Sequence, residues 1–337
     1  MIDDALLRVM SMRAGSQQTF LHPPTPMKGG YWAAIYAFEL SAPPAEMSGP
    51  LVLRVMPATA SSAGGVSETI VQRVVAEQGY PTPRVVVDGF DEALGGAFMV
   101  MEHVDGVQLL DGLSIGRLLI RLPPTLRRLA HQMSSAALRL HALDPRPLTD
   151  ALVAAGINIG SLGVEARMAE VRTAAQTTSA GFDGVLAWLE SRRPAMTPVV
   201  VCHGDIHPFN MLVTPDESFN VLDWTNGNLC RREYDVGFTA ALLMCAPLEV
   251  PHVADGALRL VTGSLSHRFV DAYRRQSPPI NLDVVEWFET LQYARCLAAV
   301  ATSPLDHPII GATHPFRLAA PAMLRQLRII TEVDLRV

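Results

Sequence analysis

The sequence has few charged residues and few cysteines for its length. Charged residues make up 18% of the 337 positions, the formal net charge is −6, and lysine and arginine form no run. This composition excludes the basic surface that is typical of nucleic-acid-binding proteins, so we expect no nucleic-acid partner. The four cysteines share no metal-ligand spacing and predict reduced, mostly buried thiols of a cytoplasmic protein: Cys202, Cys230, Cys245 and Cys296.

The sequence also lacks a long hydrophobic run. The uncharged apolar segment Val236 to Leu248 is shorter than the roughly 20 residues that a transmembrane helix needs. The chain starts with Asp3 and Asp4 rather than with a basic and then an apolar segment, so we expect no secretory signal. The mean hydropathy is positive, at +0.22. We interpret this value as a large helical core rather than as membrane association, and we expect no membrane partner.

One polar segment follows an apolar run in the middle of the chain. Residues 199–202 predict a buried strand, and the polar loop after them leads to a second predicted strand at 211–213. Phosphoryl transfer from ATP requires a carboxylate that orients the attacking hydroxyl, and oxygen ligands for a divalent metal. Asp205, Asn210 and Asp223 are groups of the required kind. The segment therefore indicates phosphoryl-transfer chemistry.

The motif H-x-D-x-x-x-x-N, followed by an Asp thirteen residues after the Asn, resembles the catalytic loop and metal-binding Asp of protein kinases. Gly204 and the pair Asp223-Trp224 differ from the kinase pattern and resemble the aminoglycoside phosphotransferase and choline kinase-like family. This resemblance implies that Asp205 is the catalytic base and that Asn210 and Asp223 hold Mg²⁺.

The resemblance extends to the residues around this loop, and the loop also has other interpretations. His203 is implied to shape the loop, and Asp235 in a "Y-D" element to support it. A β-hairpin with incidental polar residues is one alternative. A metal-dependent phosphoesterase or zinc site, begun by Asp205 and His207 beside His203, is another. That site needs further histidine-rich motifs, whereas the later histidines occur singly.

The first hundred residues predict a nucleotide-binding region. Gly29 and Gly30 precede a predicted strand and can form a tight turn over phosphates. Arg54 lies in an apolar strand, and a buried cation is costly unless paired, so Glu68 in the next predicted helix is its expected partner. The resemblance implies that this pair positions the phosphates, with Arg where most kinases have Lys. The alternative is a solvated Arg54 on an edge strand.

The run from Met99 to Gly106 resembles the hinge of kinase-like proteins. The resemblance implies that adenine contacts backbone groups of Glu102 and Val104, with Met101 beside the base. Backbone recognition leaves little trace in side chains, so the sequence does not decide between ATP and GTP.

The resemblance, which runs through most of the chain, implies an α+β, bilobal protein kinase-like fold. Residues 1–104 are expected to form a small β-rich nucleotide-binding lobe, and residues 105–337 a larger, mainly helical lobe for catalysis and acceptor binding. His141, at a helix end, is interpreted as a packed or capping residue. The predicted helices are 68–78, 126–143, 163–175, 182–191, 236–244, 256–275, 282–301 and 315–331.

The predicted function is ATP-dependent phosphoryl transfer to a hydroxyl of a small molecule. Only Glu249, Asp255 and Asp271 are acidic in the region 236–276 after the "Y-D" element. A polycationic antibiotic needs several carboxylates, so this region favours a less charged acceptor, antibiotic-like or metabolite. The alternative is a nucleotide-binding regulatory protein that has lost efficient transfer. The sequence does not establish an oligomeric state.

Overall fold

The computed structural model describes residues 2–27, 33–56, 62–109, 122–216, 218–247, 255–307 and 310–337. The chain divides into two compact units. The first comprises Met1–Val107, Asp150–Ile157 and Leu212–Gly227, and the second comprises Gln108–Thr149, Asn158–Met211 and Asn228–Val337. The predicted lobe boundary after residue 104 stays a prediction.

A five-stranded antiparallel sheet lies in the first unit. Its strands are β1 Phe20–Pro26, β2 Ala34–Leu40, β3 Pro50–Val55, β4 Val85–Asp91 and β5 Gly96–Glu102, in the order β1-β2-β3-β5-β4. The central strand is therefore β3, in which Arg54 pairs with Ile35 of β2 and Met99 of β5. This position excludes the alternative of a solvated Arg54 at a sheet edge.

Two elements of the first unit are not among the predicted ones. Helix α1, Ile2–Ala14, buries Leu6 and Met10 in the same hydrophobic core as the sheet residues Phe38 and Leu53. Strand β1 contains three prolines and pairs irregularly with β2. It lies at the sheet edge, where a missing backbone N–H removes no ladder hydrogen bond. The prolines are the reason that the sequence pattern does not predict strand β1.

Helix α2, Ser62–Glu77, begins before the predicted start at Glu68. Two glycines near its start lower the helix propensity. One of them, Gly65, lies so close to β5 that an added Cβ would be 3.1 Å from Ala97 Cβ. Tertiary packing against the sheet therefore outweighs local propensity here.

Helices dominate the remaining chain. Most lie in the second unit, and α4 is divided between the units. They are α3 Leu122–His141, α4 Pro145–Ala154, α5 Val164–Thr177, α6 Phe182–Ser191, α7 Arg232–Met244, α8 Asp255–Gln276, α9 Leu282–Thr302 and α10 Pro315–Thr331. Short strands accompany them: β6 Val107–Gln108, β7 Val200–Cys202, β8 Met211–Val213, β9 Phe219–Val221 and β10 Asn228–Cys230. The antiparallel pair β7 and β10 leads into the candidate site.

Helix α9 runs through the hydrophobic core of the second unit, where it buries Trp287, Phe288 and Leu291. Gly237 of α7 packs directly on it, because an added Cβ would lie 2.6 Å from Phe288 Cβ. This close approach fixes α7, whose first turn carries Asp235.

The predicted fold class, a β-rich N-terminal part and a mainly helical C-terminal part, is confirmed. Helices α5 to α10 match the predicted ones to within a few residues at each end. All four cysteines are buried free thiols. None of the helices in the described ranges combines the length and the apolar character that crossing a membrane requires.

Candidate active site

Arg54 is the centre of a buried charge network in the first unit. Its Nη1 lies 2.7 Å from Glu68 Oε1, and its Nη2 lies 3.1 Å from Asp223 Oδ1. Nη2 also donates a hydrogen bond to Thr225 Oγ1 at 3.1 Å. The side chain of Arg54 is 7% exposed and that of Glu68 is 0% exposed. The buried Nε–H of Arg54 has no hydrogen-bond partner among the described residues, which leaves a donor for an anionic ligand.

Burial controls the protonation of this network. The pKa of Glu68 rises from 4.5 to about 7, chiefly because burial disfavours the charged carboxylate. Arg54 lowers this pKa, but Asp223 raises it. Burial lowers the pKa of Arg54, whereas the carboxylates of Glu68 and Asp223 raise it, and the net pKa lies above its ordinary value. The guanidinium therefore stays charged.

Thr225 links the three charged side chains. Its Oγ1 lies 2.6 Å from Asp223 Oδ1 and 3.2 Å from Glu68 Oε2, in addition to its bond with Arg54. Asp223 has a φ of 65°, in the left-handed region that short polar side chains tolerate better than most residues. Sequence reasoning missed Thr225. The available signal was a hydroxyl two residues after the acid, a spacing that commonly forms local hydrogen bonds.

Trp224 anchors the turn that carries Asp223. Its indole N–H donates to Thr82 Oγ1 at 2.9 Å, and the Thr82 hydroxyl donates to Val221 O at 2.9 Å. The indole ring is fully buried and packs edge-on against Tyr80, with the ring centroids 5.6 Å apart. The carboxylate of Asp223 is thus presented next to a rigid aromatic anchor.

The predicted hinge residues lie at the end of β5 and directly after it. The Glu102 N–H donates to Arg84 O, and the His103 N–H donates to Pro50 O, each at 3.0 Å. Within the described ranges, the Val104 N–H has no hydrogen-bond acceptor. Met101 is partly buried, and its sulfur accepts from Gln72 Nε2 at 3.4 Å. Of these three backbone N–H groups, only that of Val104 is left to donate to a ligand.

The predicted glycine turn at Gly29 and Gly30 lies outside the described residues. Its role stays a prediction.

In the second unit, the loop after β7 brings Asp205 and Asn210 together. Asn210 Nδ2 donates to Asp205 O at 3.0 Å and to Asp205 Oδ2 at 3.3 Å. The side chain of Asp205 is 25% exposed, so a ligand can reach its carboxylate. A one-turn 3₁₀ helix, Pro208–Asn210, carries Asn210. No described residue donates to Asn210 Oδ1, so the lone pairs of this amide oxygen are not used by a protein donor.

Asp235 fixes the start of this loop, as the sequence resemblance implies. Its carboxylate accepts the N–H of His203 at 2.9 Å and that of Gly204 at 2.6 Å. His141 Nε2 lies 3.0 Å from Asp235 Oδ2, and His141 Nδ1 lies 2.7 Å from the Tyr273 hydroxyl. The Asp235 carboxylate can only accept, so His141 Nε2 carries the ring proton and donates to it, and Nδ1 of the neutral imidazole accepts from the Tyr273 hydroxyl.

The interpretation of His141 as a merely packed residue is therefore incomplete. His141 and Tyr273 take part in the buried hydrogen bonds that support the loop. In the sequence, His141 is 94 residues from Asp235, and Tyr273 lies on another helix, α8. For His141 the sequence signal was the L-H pair at a helix end, and Tyr273 has no sequence signal.

The sequence profile of the phosphotransferase enzyme family matches residues 28–276, which is more than half of the chain. The chain belongs to the phosphotransferase enzyme family. It is a small-molecule kinase by this membership.

Solved structures with the same fold come from related phosphotransferases. A Ralstonia eutropha JMP134 protein assigned to the aminoglycoside phosphotransferases has 17% identity and a TM-score of 0.60, over 99% of both chains. A mutant of the aminoglycoside phosphotransferase APH(4)-Ia, in a complex with ADP and hygromycin B, has 16% identity and a TM-score of 0.56, over 97% of this chain and 98% of that one. Plasmodium vivax ethanolamine kinase has 13% identity and a TM-score of 0.58, over 94% of this chain and 84% of that one.

These similarities confirm the predicted protein kinase-like fold. No curated protein sequence matches this phosphotransferase.

The phosphotransferase has the oxygen donors that suit Mg²⁺. A carboxylate from Asp223 and an amide oxygen from Asn210 are hard ligands, and Mg²⁺ needs few of them because phosphates and water complete its shell. Each unit therefore offers one oxygen donor of the type that Mg²⁺ binds, and the shared role of the two residues stays a prediction.

The alternative of a histidine-rich metal site is weakened. Of the described residues, only His141, Cys202 and Asp235 bring three potential ligand atoms of the histidine, cysteine and carboxylate types within 4.8 Å of one another. His141 and Asp235 are engaged in the hydrogen bonds that support the loop, and burial raises the pKa of the Cys202 thiol. His203, Asp205 and His207 form no such group.

Proposed function

We propose that this phosphotransferase moves the γ-phosphoryl group of ATP to a hydroxyl of a small molecule. The observation that carries the proposal is the Asp205 carboxylate, which is partly exposed and held by Asn210 in a loop anchored by Asp235. Family membership and the complexes of APH(4)-Ia with ADP or AMP-PNP, in each case with hygromycin B, support a nucleotide donor.

Asp205 acts as the catalytic base. Its carboxylate orients the acceptor hydroxyl and takes its proton, while the acceptor oxygen forms a bond to the γ-phosphorus and the bond to the bridging oxygen of ADP breaks. A base must lie within hydrogen-bond reach of the proton that it removes. Asn210 keeps the carboxylate of Asp205 in one orientation through Nδ2.

Arg54 holds the nucleotide phosphates, and Glu68 positions Arg54. The buried Nε–H of Arg54 supports this role, because it offers a donor of fixed direction to a phosphate oxygen. Gly29 and Gly30 complete the phosphate site in this proposal. Asn210 and Asp223 would hold Mg²⁺, which neutralises negative charge on the phosphates when bound.

The adenine base binds at the end of β5. The Val104 N–H donates to the ring and the backbone of Glu102 contributes through its carbonyl, since its N–H is already bonded to Arg84 O. Met101 packs beside the base. Because these contacts are to backbone groups, GTP is the second nucleotide to test.

The acceptor is a hydroxylated small molecule with little positive charge. Of the three carboxylates between residues 236 and 276, Glu249 lies outside the described residues, and Asp271 lies 3.8 Å from Arg274. The sparse acidic side chains support an acceptor less cationic than an aminoglycoside. We further propose that the reaction takes place in the cytoplasm.

Turnover of ATP with Mg²⁺ across a panel of hydroxylated compounds tests the proposal. We expect Asp205→Asn to lower kcat by about 10²–10⁴-fold, the usual contribution of a general base, and to leave ATP binding within about twofold. The matched control is Asp271→Asn, at an exposed position on α8, which should behave as the wild type. Equal turnover in wild type and Asp205→Asn would refute the mechanism.

The regulatory alternative makes a different prediction. A protein that has lost transfer binds ATP with Mg²⁺ but shows neither acceptor-dependent turnover nor slow hydrolysis of ATP by water. Calorimetric titration with a non-hydrolysable ATP analogue, together with the hydrolysis assay, separates the two functions.

A further inference from the structure

His207 lies beside Asp205 in the loop of the second unit, and no role has so far been given to it. Its Nε2 lies 3.4 Å from Asp205 Oδ1. Its Nδ1 accepts a hydrogen bond from the Phe209 N–H at 3.2 Å, which caps the 3₁₀ turn Pro208–Asn210. The side chain of His207 is 23% exposed, and its ring packs edge-on against Phe209 with the centroids 6.0 Å apart.

The bond from Phe209 determines which imidazole nitrogen carries the proton. Nδ1 can accept the Phe209 N–H only if it has no proton of its own, so the proton of the neutral ring lies on Nε2. Nε2 lies 3.4 Å from Asp205 Oδ1, an ion-pair distance without hydrogen-bond geometry, so the Nε2–H interacts with the carboxylate electrostatically. A backbone hydrogen bond on one side of the ring therefore directs a donor at the carboxylate on the other side.

The two oxygens of Asp205 then face different groups. Oδ1 faces His207 Nε2 at 3.4 Å, and Oδ2 accepts from Asn210 Nδ2 at 3.3 Å. Each carboxylate oxygen has a second lone pair, so the acceptor hydroxyl can still bind. The electrostatic contact at Oδ1 and the hydrogen bond at Oδ2 together restrict rotation of the carboxylate, which keeps it in the orientation that proton removal requires.

We propose that His207 is a positioning residue for Asp205. Its Nε2–H fixes one carboxylate oxygen, and its Nδ1 fixes the turn that carries Asn210. The inference rests on the proposed function for its catalytic consequence, whereas the tautomer of His207 can be measured without any turnover.

Two substitutions separate the two nitrogens. In His207→Asn the amide oxygen replaces Nδ1 and still caps the turn, because Asn is a strong capping residue. The asparagine side chain is too short to place a donor at the position of Nε2 beside Asp205. In His207→Gln the amide nitrogen replaces Nε2 and can donate to Asp205, but the cap is lost. The matched control is His267→Asn, an exposed histidine on α8.

The acceptor is unidentified, so the assay is the hydrolysis of ATP by water with Mg²⁺. We expect His207→Asn to lower kcat about tenfold, with KM for ATP within about twofold and Tm unchanged, because only the orientation of the base is lost. We expect His207→Gln to recover most of the turnover, with Tm lowered by a few degrees for the lost cap. Wild-type kcat in His207→Asn, or equal loss in both variants, would overturn the positioning role.

The nitrogen chemical shifts of ¹⁵N-labelled histidine report the tautomer directly. The His207 signal is assigned by its absence in His207→Gln, and we expect a protonated Nε2 and an unprotonated Nδ1. A protonated Nδ1 would overturn the inference, whatever the activity. If the wild type hydrolyses no ATP and transfers no phosphoryl group, the proposed function fails, and the tautomer alone then supports or overturns the contact with Asp205.

Discussion

Glu68 gives the free energy of unfolding a specific pH dependence. The side chain is completely buried, and its pKa rises from 4.5 to about 7 because burial disfavours the carboxylate more than Arg54 stabilises it. In the unfolded chain the carboxyl group has its ordinary pKa, so folding takes up a proton between pH 4.5 and 7. The stability from this group is therefore fully present below pH 4.5 and is lost as the pH rises to 7.

The size of this effect follows from the pKa. Each pKa unit corresponds to about 1.4 kcal/mol. The rise from 4.5 to about 7 therefore amounts to about 3 kcal/mol over the full range. Glu68→Gln cannot ionise and keeps the shape of the side chain. We expect it to remove about 2–3 kcal/mol of the loss in stability that the wild type shows between pH 5 and pH 8.

Urea unfolding at pH 5, 6, 7 and 8 measures this dependence. Glu289 is the natural control, because burial and then Glu286 raise its pKa to about 7 as well. Because the rise in pKa is the same, Glu289→Gln should remove a separate part of similar size. If wild type and Glu68→Gln lose the same stability between pH 5 and pH 8, the buried carboxylate is not protonated on folding and the reasoning fails.

Two further substitutions test contacts in the two units. Thr225→Val removes the hydroxyl next to Asp223 and Arg54, and we expect the Mg²⁺ concentration for half-maximal turnover to rise about tenfold, the value of one hydrogen bond to a charged group. Thr225→Ser, which keeps the hydroxyl, is the control, and an unchanged Mg²⁺ requirement in the valine variant would contradict the link. Tyr273→Phe leaves His141 Nδ1 without its donor, so we expect the free energy of unfolding in urea to fall by about 1–2 kcal/mol. Tyr36→Phe is the control, and equal stability of Tyr273→Phe and wild type would show that the buried bond contributes nothing.

Sequence reasoning performed well where the signal was local. An acid, an amide and a second acid at fixed spacing indicate phosphoryl transfer, and the structure holds Asp205 and Asn210 together within a single loop. The pairing of Arg54 with Glu68 also followed from a simple rule, because a cation in an apolar strand requires a buried partner. Helices with strong apolar periodicity, such as α6 and α10, have the predicted bounds.

Sequence reasoning missed features that depend on distant contacts. Helix α1 is stabilised by burial of Leu6 and Met10 in the core of the sheet, and β1 tolerates its prolines because it lies at the edge. The start of α2 contains glycines, and its helical form depends on packing against β5.

The sequence alone indicated phosphoryl transfer, through the spacing of Asp205, Asn210 and Asp223 along the chain, and membership of the phosphotransferase enzyme family agrees with that prediction. Only the tertiary structure decided how those groups are supported. His141 on α3 supports Asp235, and Tyr273 on α8 in turn supports His141. The hydroxyl of Thr225 joins Asp223 to Arg54 on β3, which is 171 residues from Thr225 in the sequence. The physical reason is that hydrogen bonds depend on distance and direction in space, and residues far apart in the sequence acquire these only when the chain folds.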